Sequence, residues 1–335
     1  MILIYHLNLR PIKITTIAPI IQNNLVPVFV DVEIGTYNFN PDMLEKAISE
    51  KTGAIFIAHT LGNPFDIEKA IDVAESHNLW LIEDNCDALG SEYNGKYTGT
   101  FGDVATFSFY PAHHITMGEG GAIVTDNAKL QNIVCSLRDW GRDCWCAPGK
   151  DNSCGRRFNW KLGSLPEGYD HKYIYSHLGY NLKVTDFQAA LGLSQLEKLD
   201  YFIEKRRANF ALLYSGFKTR GLDKYFVVPR WLSKSNPAWF GFPLTLCEGS
   251  SFRRKELLES LEKDGVGTRL LFAGNILRQP AFTDSDIKFR VAGNLENTDR
   301  ICEDNFWIGV WPGISYENIE YILNTFAAFV NGQER

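Results

Sequence analysis

The chain has no stretch of about 18 consecutive apolar residues, so no transmembrane helix is written into it. Its opening run, MILIYHLNLRPIKITT, stays apolar for only five residues, short of the ~7–15 that a signal-peptide core needs. Both absences predict a cytoplasmic protein with no membrane partner. A basic excess is missing too: 34 Lys and Arg stand against 40 Asp and Glu, a formal net charge of −6. Nucleic-acid binding normally needs a basic stripe to displace counterions from phosphate, so that class is excluded and small molecules or proteins are favoured as partners. Internal repeats and low-complexity tracts are also lacking. With 45% hydrophobic and 22% charged residues, the composition is that of a folded chain and excludes a disordered or fibrous one. At ~150 residues per domain, 335 residues predict one large unit and a smaller one. The seven cysteines are an odd number, and in a reducing compartment thiols are more often buried, catalytic or metal-bound than paired, so their spacing matters more than their count.

What is present is an alternation. VPVFVDV (26–32), AIFIAH (54–59) and LWLIED (79–84) read as strands. Between them lie PDMLEKAISEKT (41–52), with Pro in its first turn, and DIEKAIDVAESHN (66–78), opening on Asp66; both read as helices. This βαβαβ pattern implies a mostly parallel sheet covered by helices, in which ligands bind beyond the carboxyl ends of the strands. Asp84 is at such an end. DVATFSFY (103–110) and GAIVTD (121–126) continue the sheet, and a helix follows at 127–138. Residues 140–180, rich in Gly, Cys, Trp, Tyr and Arg without a period, read as a long functional loop. The cofactor-type α/β domain is therefore placed at 1–184, a bridging helix at 185–217, and a small α+β domain at 218–335. The last contains a strand at 239–246 and helices at 251–265 and 315–330.

Taken alone, Asp84 reads equally as a helix cap or a surface carboxylate, and His113 and His114 as hydrogen-bonded loop histidines. Cys86, Cys144, Cys146 and Cys154 are separated by 57, 1 and 7 residues. Four thiolates suit a [2Fe–2S] cluster, but the close pair in a Gly/Pro-containing loop suits zinc as well, and spacing alone leaves both open.

The stretch FSFYPAHHITMGEGGAIVTD resembles the cofactor-lysine segment of the pyridoxal-phosphate sugar aminotransferases, which act on nucleotide-linked 4-ketosugars. In that family a lysine precedes Ile-Thr-x-Gly-Glu-Gly-Gly. Here that position is His113, and no lysine occurs between Lys96 and Lys129. Imidazole cannot form a stable imine with the cofactor but can move a proton near neutral pH, so transamination is not expected. The replacement resembles that of the 4-keto-6-deoxysugar 3-dehydratases, which hold pyridoxamine 5′-phosphate without a covalent link. The cysteine spacings resemble those of the iron–sulfur branch of this subgroup. Further similarity runs from about Thr15 to the C-terminus through EDNCDALGS, RDWGRDCWCAPG, SHLGYNLKVTDFQAALG, GTRLLFAGN and TDRICEDNFWIGVWPG.

The resemblance implies an aspartate-aminotransferase-like α/β fold (pyridoxal-phosphate fold type I): a mostly parallel sheet domain with a smaller C-terminal α+β domain. It implies a lyase that removes the 3-hydroxyl of a CDP-linked 4-keto-6-deoxyglucose in 3,6-dideoxyhexose synthesis for lipopolysaccharide. His113 is then the base acting at the cofactor's C4′ carbon. Asp84 is the partner of the pyridine nitrogen, Ser108 a phosphate ligand, and Asn181 a phosphate contact from the neighbouring subunit of a homodimer. Asp87 stands where relatives often place a cofactor-contacting Gln or His. Cys86, Cys144, Cys146 and Cys154 become ligands of a [2Fe–2S] cluster fed with electrons by an NADH-dependent iron–sulfur flavoprotein reductase. Cys135, Cys247 and Cys302 remain small buried hydrophobes. Arg269, Asn275 and Arg278 are candidate substrate contacts, a guanidinium fork suiting a diphosphate. The family also carries an N-terminal stretch with a phosphate turn and a ring that stacks on the pyridine; MILIYHLNLRPI does not resemble it, and the stacking position falls near Lys13. A truncated chain with weakened cofactor binding is therefore expected. The alternatives are a cluster-free dehydratase acting on GDP-4-keto-6-deoxymannose and an inactive remnant.

Overall fold

The computed structural model describes residues 5–9, 14–146 and 149–333. In the first lobe, β1 (Tyr5–Leu9), α1 (Ile14–Gln22), β2 (Val26–Val30), α2 (Pro41–Ala47), β3 (Thr52–Ala58), α3 (Ile67–Ser76) and β4 (Trp80–Asp84) alternate along the chain. The alternation expected from sequence is thus observed, with β1 and α1 added before it. A short hairpin, β5 (Glu92–Tyr93) and β6 (Lys96–Tyr97), precedes β7 (Val104–Ser108), β8 (Gly121–Val124) and α4 (Ala128–Arg138). Helices form where apolar residues recur at helical spacing behind a capping oxygen: Asn40, Asp66 and Asn127 each accept a backbone N–H in the first turn of α2, α3 and α4. The region between α4 and α5 (Asp186–Leu196) is largely irregular, as its composition predicts.

The helix expected over 185–217 is divided into α5 and α6 (Leu199–Thr219) at Glu197 and Lys198. The second lobe adds β9 (Phe226–Val227), β10 (Ser235–Asn236), β11 (Gly241–Leu246), α7 (Arg254–Lys263), β12 (Thr268–Arg269), α8 (Pro280–Thr283), β13 (Arg290–Val291), α9 (Glu296–Asp304), β14 (Asn305–Gly309) and α10 (Tyr316–Gln333).

A seven-stranded sheet runs in the order β13-β2-β1-β3-β4-β7-β8, parallel except for β8. Its strand β13 comes from the segment assigned by sequence to the small domain and returns to pair with β2. A four-stranded antiparallel sheet, β12-β14-β11-β9, forms the second lobe. Its core is aromatic: Phe210 stacks on Trp239 at 3.8 Å, and Phe217 meets Phe326 at 5.1 Å, which joins α6 to α10. Each such ring contributes about 1.5–3 kcal/mol by burial.

Among the polar contacts that fasten the lobes, two are centred on Asp31 and Tyr37. Asp31, just past β2, accepts from Asn297 N and Thr298 N at 2.9 Å and from Thr298 Oγ1 at 2.6 Å. It thereby caps α9, whose own N-cap residue Leu295 has no side-chain acceptor. Tyr37, buried with φ +58°, places its hydroxyl 2.9 Å from Thr245 Oγ1, to which Asn305 Nδ2 also donates at 2.9 Å.

Glu83, fully buried in β4, organises the loop that precedes β7. Its carboxylate accepts from Gly99 N (2.8 Å), Phe101 N (2.8 Å) and Gly102 N (2.7 Å), with His59 Nε2 at 3.0 Å. Burial alone would raise its pKa; the His59 contact and the N–H groups of Gly102 and Gly99 outweigh burial and hold the carboxyl below its ordinary value. A depressed folded pKa gives stability that is present above the unfolded value of about 4.3 and is lost as pH falls through the folded one. Glu83→Gln is expected to cost about 1.5–3 kcal/mol at neutral pH. In urea unfolding at several pH values, the gap to the parent chain should narrow once pH drops below about 4.3; a gap constant down to acid pH contradicts the assignment.

Candidate active site

The carboxyl ends of β4 and β7 lie side by side, with Asp84 opposite Thr106 and Ser108 just beyond. They open on a cavity of about 910 Å³. Cys86, Ser108, Tyr110 and His113 line it from the sheet, and Ile14 and Thr15 from the start of α1. Phe272, Ala273, Ile276 and the 279–281 turn close it from the second lobe. Phe272 has φ +47°, rare for a bulky residue, and strain of this kind concentrates at functional sites.

Asp84 is buried. Its Oδ2 accepts from Thr16 Oγ1 at 2.7 Å and its Oδ1 from Cys86 N at 3.2 Å. Ser108 Oγ accepts from Tyr110 N at 3.3 Å. The loop that carries His113 folds back on itself: His113 N donates to Tyr110 O, and Met117 N and Thr116 Oγ1 to Phe109 O. It returns through Gly121, where a Cβ would come within 2.6 Å of Phe107 O, so only glycine fits. The His113 ring stands edge-on to Phe240 at 5.4 Å, with Nε2 3.8 Å from Asp87 Oδ1. His114 points away and places Nε2 2.5 Å from Ala238 O, tying the loop to the second lobe.

Beneath Phe240 lies the buried Arg206, whose Nη1 donates to Trp239 O and Phe240 O at 3.3 and 3.4 Å. Burial lowers its pKa to about 10, against the opposing pull of Asp87. The wall thus joins a hydroxyl and an imidazole, and the Asp84 carboxylate is buried outside its lining, bonded to the backbone of the wall residue Cys86. Among the described residues none lining the cavity is a lysine. This set can hold a protonated ring nitrogen and an anion, and can move a proton.

The other expected residues are distributed. Asn181 lies outside the cavity lining, bridged to Asp139, with Oδ1 accepting from Lys183 Nζ at 3.1 Å. Asn275 caps a short turn by accepting from Leu277 N at 3.1 Å and donates to Asp299. Arg278 pairs with Asp299 at 3.0 Å and Glu303 at 3.2 Å, while Arg269 Nη1 donates to Thr268 O at 2.7 Å. Lys13 lies outside the described residues.

Cys144, Cys146 and Cys154 come together on one loop: the Cys146 thiol interacts with both others. The hydroxyl of Ser153 and the backbone N–H of Cys154 pull the Cys146 pKa down to about 6. Cys86, the fourth cysteine of the set expected from sequence, sits on the cavity wall with Sγ against Thr106 O and Oγ1 at 3.8 and 3.9 Å. Among the described residues no group of three His, Cys, Asp or Glu side chains is arranged to hold a metal ion. Sequence reading also missed Thr16, Tyr110, Arg206 and Phe240. Tyr110 was within reach, being two residues beyond Ser108; the others carry no local motif.

Similarity to known proteins agrees with this geometry. The chain is 56% identical over 315 residues to the lipopolysaccharide biosynthesis protein RfbH of Salmonella typhimurium, covering 94% of this chain and 71% of that one. It is 53% identical over 316 residues to the dTDP-4-dehydro-2,6-dideoxy-D-glucose 3-dehydratase of Saccharopolyspora spinosa, covering 94% and 67%. Among solved structures it is similar to GDP-4-keto-6-deoxy-D-mannose-3-dehydratase of E. coli with bound hydrated PLP. That match has a TM-score of 0.85 at 27% identity and covers 96% of this chain and 79% of that one. The fold is therefore the aspartate-aminotransferase-like fold type I expected from sequence. With its family model matching residues 14–327, the chain belongs to the DegT/DnrJ/EryC1/StrS aminotransferase family.

Proposed function

We propose that the protein is a pyridoxamine-phosphate-dependent dehydratase that removes the 3-hydroxyl of a nucleotide-linked 4-keto-6-deoxysugar in deoxysugar biosynthesis. The observation that carries this reading is His113, on the wall of a cavity whose described lining includes no lysine, in a member of an aminotransferase family. Dehydratase names among its relatives support it. When bound, the cofactor would supply an amine for the 4-keto group and a ring that accepts electrons. The donor set fits it. Asp84 would accept from the ring nitrogen, Ser108 would hold phosphate, and His113 would move a proton at C4′. Asp87 stands behind the imidazole, and Phe240 packs edge-on with it.

The finer reading is CDP-4-keto-6-deoxyglucose 3-dehydratase with a [2Fe–2S] cluster and a separate NADH-dependent reductase. It rests on the sequence resemblance, and the trio Cys144, Cys146 and Cys154 supports it. A second reading, a cluster-free dehydratase acting on a GDP-sugar, is favoured by Cys86, which lies at the cavity against Thr106. A homodimer belongs to both readings. Helix α5 buries none of its residues, and Leu178 and Phe187 are 98% and 90% exposed, an apolar surface that asks for a cover. Asn181 lies in that segment, so its reach to a phosphate would be into the second copy. No helix among the described residues is long and apolar enough to cross a membrane; a cytoplasmic location is part of the proposal.

Titration of the purified chain with pyridoxamine phosphate tests the core of the reading. His113→Asn should change that affinity by less than about threefold while lowering substrate-dependent hydrogen exchange at C4′ by about 10²–10⁴-fold; exchange retained in the variant overturns the assignment. Anaerobic reconstitution separates the finer readings. Two irons and two sulfides per chain, lost in Cys144→Ser, support the cluster, and protein binding neither supports the cluster-free form. In metal-free protein near pH 7 the Cys146 thiol, its pKa lowered by Ser153 and the Cys154 N–H, should react with iodoacetamide well before Cys144. Peptide mass spectrometry reads the order.

A further inference from the structure

The carboxylate on which the ring-nitrogen contact depends is held from a distance. Thr16 stands 68 positions before Asp84, yet its hydroxyl donates to Asp84 Oδ2 at 2.7 Å, the length of a charge-assisted O–H···O⁻ bond. Thr16 is itself 1% exposed, so water does not compete for the contact. The neighbouring Thr15 lines the cavity. The first turn of α1 thus offers one threonine to the ligand space and turns the next toward the carboxylate. On the other oxygen, Cys86 N donates at 3.2 Å. With one donor fixed on each oxygen, the carboxyl plane cannot rotate, and its remaining lone pairs keep one direction. A carboxylate held by one donor could swing about its last bond, and misorientation by a few tens of degrees weakens a hydrogen bond steeply.

We propose that Thr16 is a positioning residue of the cofactor site: its hydroxyl orients Asp84 to receive the N–H of a pyridinium ring bound in the cavity. This rests on the reading of the cavity as a pyridoxamine-phosphate site. A merely structural Thr16 would stabilise the first lobe and affect every ligand of the cavity alike. A positioning Thr16 acts through the ring nitrogen alone, and a ligand without that nitrogen separates the two.

The experiment compares pyridoxamine phosphate with its 1-deaza analogue, in which C–H replaces the ring nitrogen, by calorimetric titration of the full chain. The parent chain should bind the parent cofactor more tightly than the analogue. Thr16→Val, close in shape but without the hydroxyl, should weaken pyridoxamine phosphate by about tenfold or more and leave the analogue within about twofold. Thr16→Ser keeps a donor and should restore most of the difference, and it also serves if the valine variant does not fold. Equal weakening of both ligands, or of neither, overturns the positioning role. A parent chain that binds neither ligand, or both equally, overturns the reading of the cavity and this proposal with it.

Discussion

Two adjacent carboxylates at the end of one strand govern the rest of the site. Because side chains alternate along a strand, Glu83 and Asp84 leave β4 toward opposite faces. On one side Glu83 gathers three backbone N–H groups and His59, fixing the 99–102 loop and so the start of β7. On the other, Asp84 meets the Thr16 hydroxyl and the backbone N–H of Cys86, a residue of the cavity wall. Burying carboxylates on two adjacent residues is tolerable only because each has its own set of donors; an isolated buried carboxylate would be costly. The position of Ser108, at the far end of β7, depends on the loop that Glu83 holds.

The cavity is nevertheless a product of both lobes. The chain leaves the first lobe through α5 and α6, builds the antiparallel sheet, and comes back at 272–291 to close the cavity and add β13 to the edge beside β2. Asp31 on α9, and Tyr37 with Thr245 and Asn305, fasten that return with buried hydrogen bonds. The contact between Phe240 and His113 has the same character: a ring from the second lobe sets the position of the imidazole of the first, and Arg206 supports that ring from below. The position of His113 is therefore sensitive to how the lobes are fastened.

The parts of this arrangement legible in the sequence are those with a local pattern. The strands β2, β3 and β4 are bounded by turn signals and separated by capped helices, so alternation alone reveals a parallel sheet. Asp84, Ser108 and His113 sit within motifs a few residues long. Long-range pairings leave no such trace. The two-residue strand β13 has no period to detect, and the break at Glu197 and Lys198 interrupts an apolar pattern with no Pro and no Gly at the break itself. Arg278 and Asn275 read as substrate contacts, a guanidinium fork suiting a diphosphate, yet Asp299 and Glu303, more than 20 positions away, pair with them here. Thr16 is a single hydroxyl on a short helix, and only folding shows what it touches.

The exchange of a lysine for His113 changes what the remaining residues must do. A covalent link holds a cofactor's reactive carbon in place regardless of how well its other groups are gripped, and proximity enforced in this way supplies much of a rate. Under the proposed function imidazole offers no link, so retention and alignment would fall to non-covalent contacts: a hydroxyl for phosphate, a carboxylate for the ring nitrogen, and aromatic surface for the rest. Hydrogen bonds to a charged group are strong only while their geometry holds, which places a premium on whatever fixes that geometry from behind. The tight donors around Asp84, the folded-back loop under His113 and the buried guanidinium beneath Phe240 are all arrangements of this second kind. In a site with a lysine they would refine the chemistry; in a site with a histidine the chemistry rests on them.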